Sequence, residues 1–240
     1  MSHPIHVLWS VPRSVSTSFE RMVMERGDHH VVDEPFSRAY YFGPQRRSSR
    51  YSRTIAHSDP HEVLAELEEA AQDGPVFVKD MAYQARDVLD ADLVARLEHS
   101  FLVRHPAAAL RSLARGWPDF TPEETGWEHL GLVADLVEEQ GRPLVVVEAE
   151  SVCADPAPVV ADWCRRVGLD FRPDALSWPA GMRPEWELWE DWHGSTSRST
   201  GFAPLRPVPD PPGADEPRLR AAYDAALPVW ERLRAHALRA

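Results

Sequence analysis

The sequence predicts an α/β fold in which a mostly parallel central sheet is flanked by helices. Three observations carry that expectation. Short apolar runs at residues 5–10, 76–79, 101–104 and 144–148, with a weaker one at 30–33, have the length and content of buried strands. Between them lie amphipathic stretches at 15–27, 60–73, 87–98, 106–115, 127–141 and 156–168. Strands alternating with helices need crossover connections, and crossovers make the strands of a sheet parallel.

The elements follow in order. The run at 5–10 enters a hydroxyl-rich turn and then the helical stretch at 15–27. The stretch 60–73 is framed by Asp59 as a cap, Pro60 in the first turn and Gly74 after its end. The run at 101–104 meets Pro106, whose missing N–H costs little in a first helical turn. From residue 170 the texture changes. Trp178, Trp186, Trp189 and Trp192 cluster, and Pro204, Pro207, Pro209, Pro211, Pro212 and Pro217 mark an extended surface connection. The tryptophans suit an apolar wall for an aromatic or lipid-like alcohol, or the packing of a cap; the spacing of the last three is helical. A last helix, about 215–237, presents Leu219, Tyr223, Leu227, Trp230 and Leu233 to the core. No repeat or boundary stands out, so residues 1–240 are expected to form one domain with a Trp/Pro-rich cap region at about 170–217.

A chain of 240 residues buries roughly 70–75 % of its unfolded surface and needs no disulfides. Cys153 and Cys164 have neither a CxxC nor a zinc spacing and are expected to be structural. The N-terminal apolar run is too short for a secretory signal, and no segment approaches the ~18 apolar residues of a membrane span, so a cytoplasmic protein is expected. A net charge of −12 argues against non-specific nucleic-acid binding. It leaves room for a small anion, which responds to local charge: Arg46, Arg47, Arg50 and Arg53 form one cluster, and Arg104, Arg111 and Arg115 another. The first cluster equally suits a solvated surface. His29 and His30 would point to opposite faces of a strand and are expected at the surface rather than on a metal.

The strongest local signal is the passage from Ile5 through Trp9 to Pro12-Arg13-Ser14-Val15-Ser16-Thr17-Ser18. A buried strand here runs into a helix N-terminus, where backbone N–H groups lack partners and the helix dipole is positive. Ser14, Ser16, Thr17 and Ser18 add hydroxyl donors and Arg13 a permanent charge, which together make a phosphate cradle. Simple helix capping is the competing account. No GxxxxGK[ST] is present, so this is not the loop of nucleoside-triphosphate enzymes.

Pro12–Thr17 resembles the 5′-phosphosulfate loop of sulfotransferases that use 3′-phosphoadenosine 5′-phosphosulfate (PAPS), written P-[KR]-S-G-[ST]-T in many members. Val15 replaces the common glycine, and because a β-branched residue tolerates positive φ poorly, the loop is expected to turn differently there. The segment from Phe101 through Arg104, His105 and Pro106 to Ser112 is similar to the family's 3′-phosphate motif, an arginine ending a strand and a serine eight residues later. The stretch 143–170 resembles the family's late strand, acidic loop and helix, and is read as scaffold.

Asp33-Glu34-Pro35-Phe36 and Phe77-Val78-Lys79-Asp80-Met81 resemble segments of a bacterial branch of the family. Many relatives use a histidine as base and others a glutamate; with no match to that histidine, the resemblance implies Glu34 as base and Lys79 on the sulfuryl oxygens. Asp33 and Asp80 compete for the base role, Pro35 is expected to hold Glu34 extended, and a structural Lys79–Glu34 ion pair is an alternative. The family's basic-Gly cofactor segment is absent as written. In its place stands the segment 192–202, whose Ser197, Arg198, Ser199 and Gly201 are expected to close over the adenosine or 3′-phosphate. The resemblance thus implies a P-loop-like sulfotransferase fold, PAPS as donor, no metal and a small hydroxyl acceptor. An ATP-dependent small-molecule kinase and a non-catalytic nucleotide-binding protein are the alternatives.

Overall fold

A computed structural model describes residues 2–238. Five strands, β1 (Ile5–Ser10), β2 (His30–Asp33), β3 (Val76–Met81), β4 (Glu98–Val103) and β5 (Val146–Glu148), form a parallel sheet in the order β2-β3-β1-β4-β5. Every residue of the central strand β1 is buried, the polar His6 and Ser10 included, so it shows no alternation of buried and exposed positions. Its side chains still alternate. Val7 and Trp9 enter a core built with α2 (Pro60–Asp73), α5 (Trp127–Glu139) and α9 (Pro217–Arg234). Leu8 enters the opposite core, with α1 (Ser16–Arg26) and α7 (Pro156–Arg166).

The remaining helices are α3 (Ala91–Ala95), α4 (Pro106–Gly116), α6 (Ala149–Ala154) and α8 (Glu190–His193). Asp59 caps α2 as the sequence predicts, accepting the His61 N–H at 2.8 Å. The helix expected over 87–98 shrinks to α3, because the chain must return to the sheet: β4 begins at Glu98, paired with His6. Polar residues disguise the start of that strand. His99 accepts the Trp9 indole N–H at 2.9 Å, and Ser100 accepts that of Trp163 at 2.9 Å, so both are buried with their bonds satisfied. The acidic loop expected after β5 is helical, as α6, and the last helix ends at Arg234.

His29 departs from expectation. Its side chain is 1 % exposed, 2.7 Å from Asp28 and edge-on to His6, whereas His30 is exposed on the edge strand. In the first arginine cluster Arg47 and Arg50 are taken up by carboxylates, while Arg46 donates to Thr54 and Arg53 lies over the Phe42 ring. Arg47 pairs with Asp87, and Arg50 pairs with Glu124 and Asp119 while lying over the Trp117 ring. No described helix is long and apolar enough to cross a membrane.

Candidate active site

The β1–α1 loop lies at the C-terminal edge of the sheet, beside the point where the connections from β1 and β4 diverge, the usual ligand crevice of such folds. Val15 sits at φ 66, ψ 20, the left-handed region. The expectation that its side chain would forbid this turn is therefore corrected. The Val15 carbonyl accepts the N–H groups of Ser18 and Phe19, and its side chain packs against the α1 core, so the start of the helix holds the strained residue in place. Arg13, also at φ 66, presents its carbonyl to Arg104 Nη1 at 2.9 Å. The Ser14 hydroxyl donates to the Val11 carbonyl at 2.7 Å and is fully buried. It braces the loop and does not face the cavity.

Arg13 Nε donates to Ser112 Oγ at 3.2 Å, so Arg13, Arg104 and Ser112 meet although they come from two distant segments. Burial, and then the neighbouring Arg104 and Arg115, pull the Arg13 guanidinium below its ordinary range. Among the described residues neither Arg13 nor Arg104 forms a salt bridge, and Arg104 Nε is buried without a protein partner. A cationic corner with an unmet donor fits an anion.

On the other side of the loop, β2 and β3 are in register with Asp33 opposite Lys79. Lys79 is fully buried and paired with Asp33 and with Glu34, at 2.6 Å from Glu34 Oε1. Burial alone would discharge it, but Asp33, Glu34 and Glu20 outweigh burial and raise its pKa. Lys79 lies behind Glu34 and is not on the cavity wall, which corrects its expected contact with the transferred group. Glu34 does line the cavity, and Gln84 Nε2 donates to its Oε2 at 3.1 Å. Its φ is 43, not extended. The Glu34 carbonyl accepts from both the N–H and the hydroxyl of Ser37, which curls the chain over Pro35.

Asp80 is fully buried and accepts the N–H groups of Phe36 and Met81 at 2.9 and 2.7 Å; burial raises its pKa well above the carboxylate range. It braces the backbone and does not reach the cavity. Asp33 is equally buried. Burial works against its charge, but Lys79 and a hydrogen bond from His193 outweigh it and hold Asp33 below the usual range. His193 is the residue that sequence reasoning missed. It lines the cavity, with Nε2 3.0 Å from Asp33 Oδ2 and Nδ1 3.3 Å from Thr17 Oγ1. No local spacing links it to Asp33, 160 residues earlier; the one clue is its place in the segment read as closing over the cofactor.

The cavity, of about 260 Å³, runs from Arg13, Ser16, Thr17 and Ser18 past Glu34 to Trp117, Trp189 and Trp192. Ser195 and Thr196 close it, with Thr196 Oγ1 3.3 Å from Ser18 Oγ. Ser197, Ser199 and Gly201 do not. Ser197 bonds the Gly194 carbonyl, Ser199 bonds the Thr196 carbonyl and the Trp178 indole, and Gly201 bridges Ser177, so the closing contact falls a few residues earlier than expected. The tryptophans divide: Trp186 is buried on Glu20, while Trp189 and Trp192 face the cavity.

Residues 5–237 match the family model described as a sulfotransferase domain. Branched-chain-amino-acid aminotransferase-like proteins 1 and 2 of Arabidopsis thaliana are each 28 % identical to this chain, over 95 % and 84 % of it. The chain spans 41 % and 36 % of the length of those relatives. The sulfotransferase domain of the Synechococcus PCC 7002 olefin synthase superposes with a TM-score of 0.55 at 17 % identity, covering 93 % of this chain and 96 % of that one, and so shares the fold. With the family model extending over nearly the whole described chain, this protein belongs to the sulfotransferase domain family.

Proposed function

We propose that this chain transfers a sulfuryl group from PAPS to a hydroxyl of a small organic acceptor in the cytoplasm. The observation that carries the proposal is the meeting of Arg13, Arg104 and Ser112: two phosphate-type motifs converge on one cationic corner, where a nucleotide with phosphates at both ends would use both. When bound, PAPS supplies the transferable sulfuryl group. Arg13, Ser16, Thr17 and Ser18 hold its 5′ end, and Arg104 with Ser112 the 3′-phosphate. Glu34, held from behind by Lys79 and Gln84, receives the acceptor's proton, and Arg13 meets the charge that develops on the departing phosphate oxygen. Transfer of this kind asks mainly for positioning and charge stabilisation.

A specific observation favours a second proton acceptor. Because Asp33 takes the Nε2–H of His193, the lone pair of that ring lies at Nδ1, where the Thr17 hydroxyl is its partner in the protein and would have to give way to an acceptor proton. The donor assignment is tested by calorimetry with 3′-phosphoadenosine 5′-phosphate (PAP) and ADP. Loss of one charge-assisted phosphate contact costs about 10- to 150-fold, so PAP should bind tighter by that margin. Equal affinities would remove Arg104 and Ser112 from the site, and turnover with ATP in place of PAPS would restore the kinase reading.

A further inference from the structure

Beside Glu34 the cavity is lined by a polar group of which the proposed transfer uses only one end. Gln84 stands on the 3₁₀ turn Ala82–Ala85 that follows β3, lines the cavity and is 4 % exposed. Its orientation is settled by its neighbour: Nε2 faces Glu34 Oε2 at 3.1 Å, and a carboxylate held by Lys79 accepts but does not donate, so the opposite end of the amide is the carbonyl oxygen. That oxygen, Oε1, is buried and has no partner in the protein among the described residues. The turn is anchored by the adjoining Tyr83, which is buried with its hydroxyl 2.8 Å from that of Tyr41. Around this pair the walls are apolar: Met81, Trp117, Trp189 and Trp192.

We propose that Gln84 is the acceptor-recognition residue, and that the acceptor is an alcohol with an apolar body and a second hydrogen-bond donor on the carbon next to the sulfated one. The inference rests on the sulfuryl-transfer reading above. The amide holds Nε2 against Glu34 and leaves Oε1 at its other end without a partner. A hydroxyl delivered to Glu34 therefore brings a vicinal O–H or N–H to Oε1. An acceptor without that second donor leaves a buried carbonyl unpaired, a loss on the order of 10- to 100-fold in kcat/KM. The apolar walls suit the rest of such a molecule, with the tryptophan faces offering flat contact area.

The test compares 1-phenylethane-1,2-diol with 2-phenylethanol, which share one ring and differ in the second donor, each with PAPS and with product detected by mass. The diol is expected to be favoured at least tenfold in kcat/KM. Gln84→Met keeps the volume and removes the amide. It should slow both alcohols through the lost Glu34 contact, slow the diol further, and bring the ratio close to one. PAP affinity, measured on the same variant, should be unchanged and shows that it is folded. A wild-type ratio near one, or a variant that lowers both alcohols equally, overturns the proposal. If PAP binds but neither alcohol is sulfated, the acceptor class is wrong while the donor reading stands; if PAP does not bind, the sulfuryl-transfer reading itself falls.

Discussion

His193 Nε2 lies 3.0 Å from Asp33 Oδ2, and the other ring nitrogen lies 3.3 Å from Thr17 Oγ1. Asp33, kept ionised by Lys79 and His193, can only accept, so Nε2 carries the proton and Nδ1 receives the Thr17 hydroxyl. One imidazole thus ties the end of β2 and the first turn of α1 to the C-terminal segment. It lines the same cavity as Glu34 and the β1–α1 loop.

Substitution separates the two candidate bases. Glu34→Gln should lower turnover by about 10²- to 10⁴-fold and leave PAP affinity nearly unchanged. His193→Asn, which loosens Thr17, should weaken PAP binding about fivefold, as for one lost hydrogen bond, with a smaller effect on turnover. The opposite pattern in steady-state kinetics and calorimetry would transfer the proton to His193 Nδ1.

Arg13→Ala should weaken nucleotide binding about 10- to 150-fold and lower turnover, since it removes the proposed charge-assisted phosphate contact. The melting temperature should hold or rise, because the variant also relieves repulsion among Arg13, Arg104 and Arg115. Normal turnover in this variant would show that the loop does not bind the donor.

At position 15 the backbone, not the side chain, should decide stability. Val15→Gly and Val15→Ala both lose packing, but only glycine adopts φ 66 without strain. Urea denaturation should find the glycine variant more stable than the alanine variant by about 1 kcal/mol. An alanine variant as stable as the glycine one would contradict the left-handed loop.

Acid should unfold the protein through two buried histidines. Burial, then His29 and Arg26, lowers the pKa of His6 to about 4; burial, with a smaller contribution from Arg142, lowers that of His99 to about 4. His99 must be neutral, because Nδ1 accepts from Trp9 while Nε2 donates to the Val94 carbonyl. The unfolded chain therefore takes up protons first. This stability is fully present above the ordinary value of 6.5 and is lost as pH falls toward 4. Urea midpoints should drop across that window, and His99→Gln should drop less steeply. A flat wild-type profile would contradict the buried neutral state.

Much of the fold was legible because its signals are short-range. The Asp59 cap, the Pro60 start and the Gly74 stop define α2 within a few residues, and short, mostly apolar runs mark β1 and the start of β3. β4 was only half legible. His99 and Ser100 look unsuited to a buried strand until Trp9 and Trp163 supply their hydrogen bonds from elsewhere in the chain.

By itself the sequence determined the alternation of strands and helices, the family resemblance and the loops on which Arg13, Arg104 and Glu34 stand. Each depends on capping, periodicity and contiguous motifs. Tertiary structure alone decided which groups face the cavity. Lys79 turns inward because the β2–β3 register sets Asp33 opposite it, and a buried ammonium needs paired carboxylates. Asp80 is withdrawn by two backbone N–H groups, and Ser14 by the Val11 carbonyl. His193 enters the site only when the C-terminal segment packs over α1. Such placements are set by contacts between residues far apart in the chain, which no local pattern encodes.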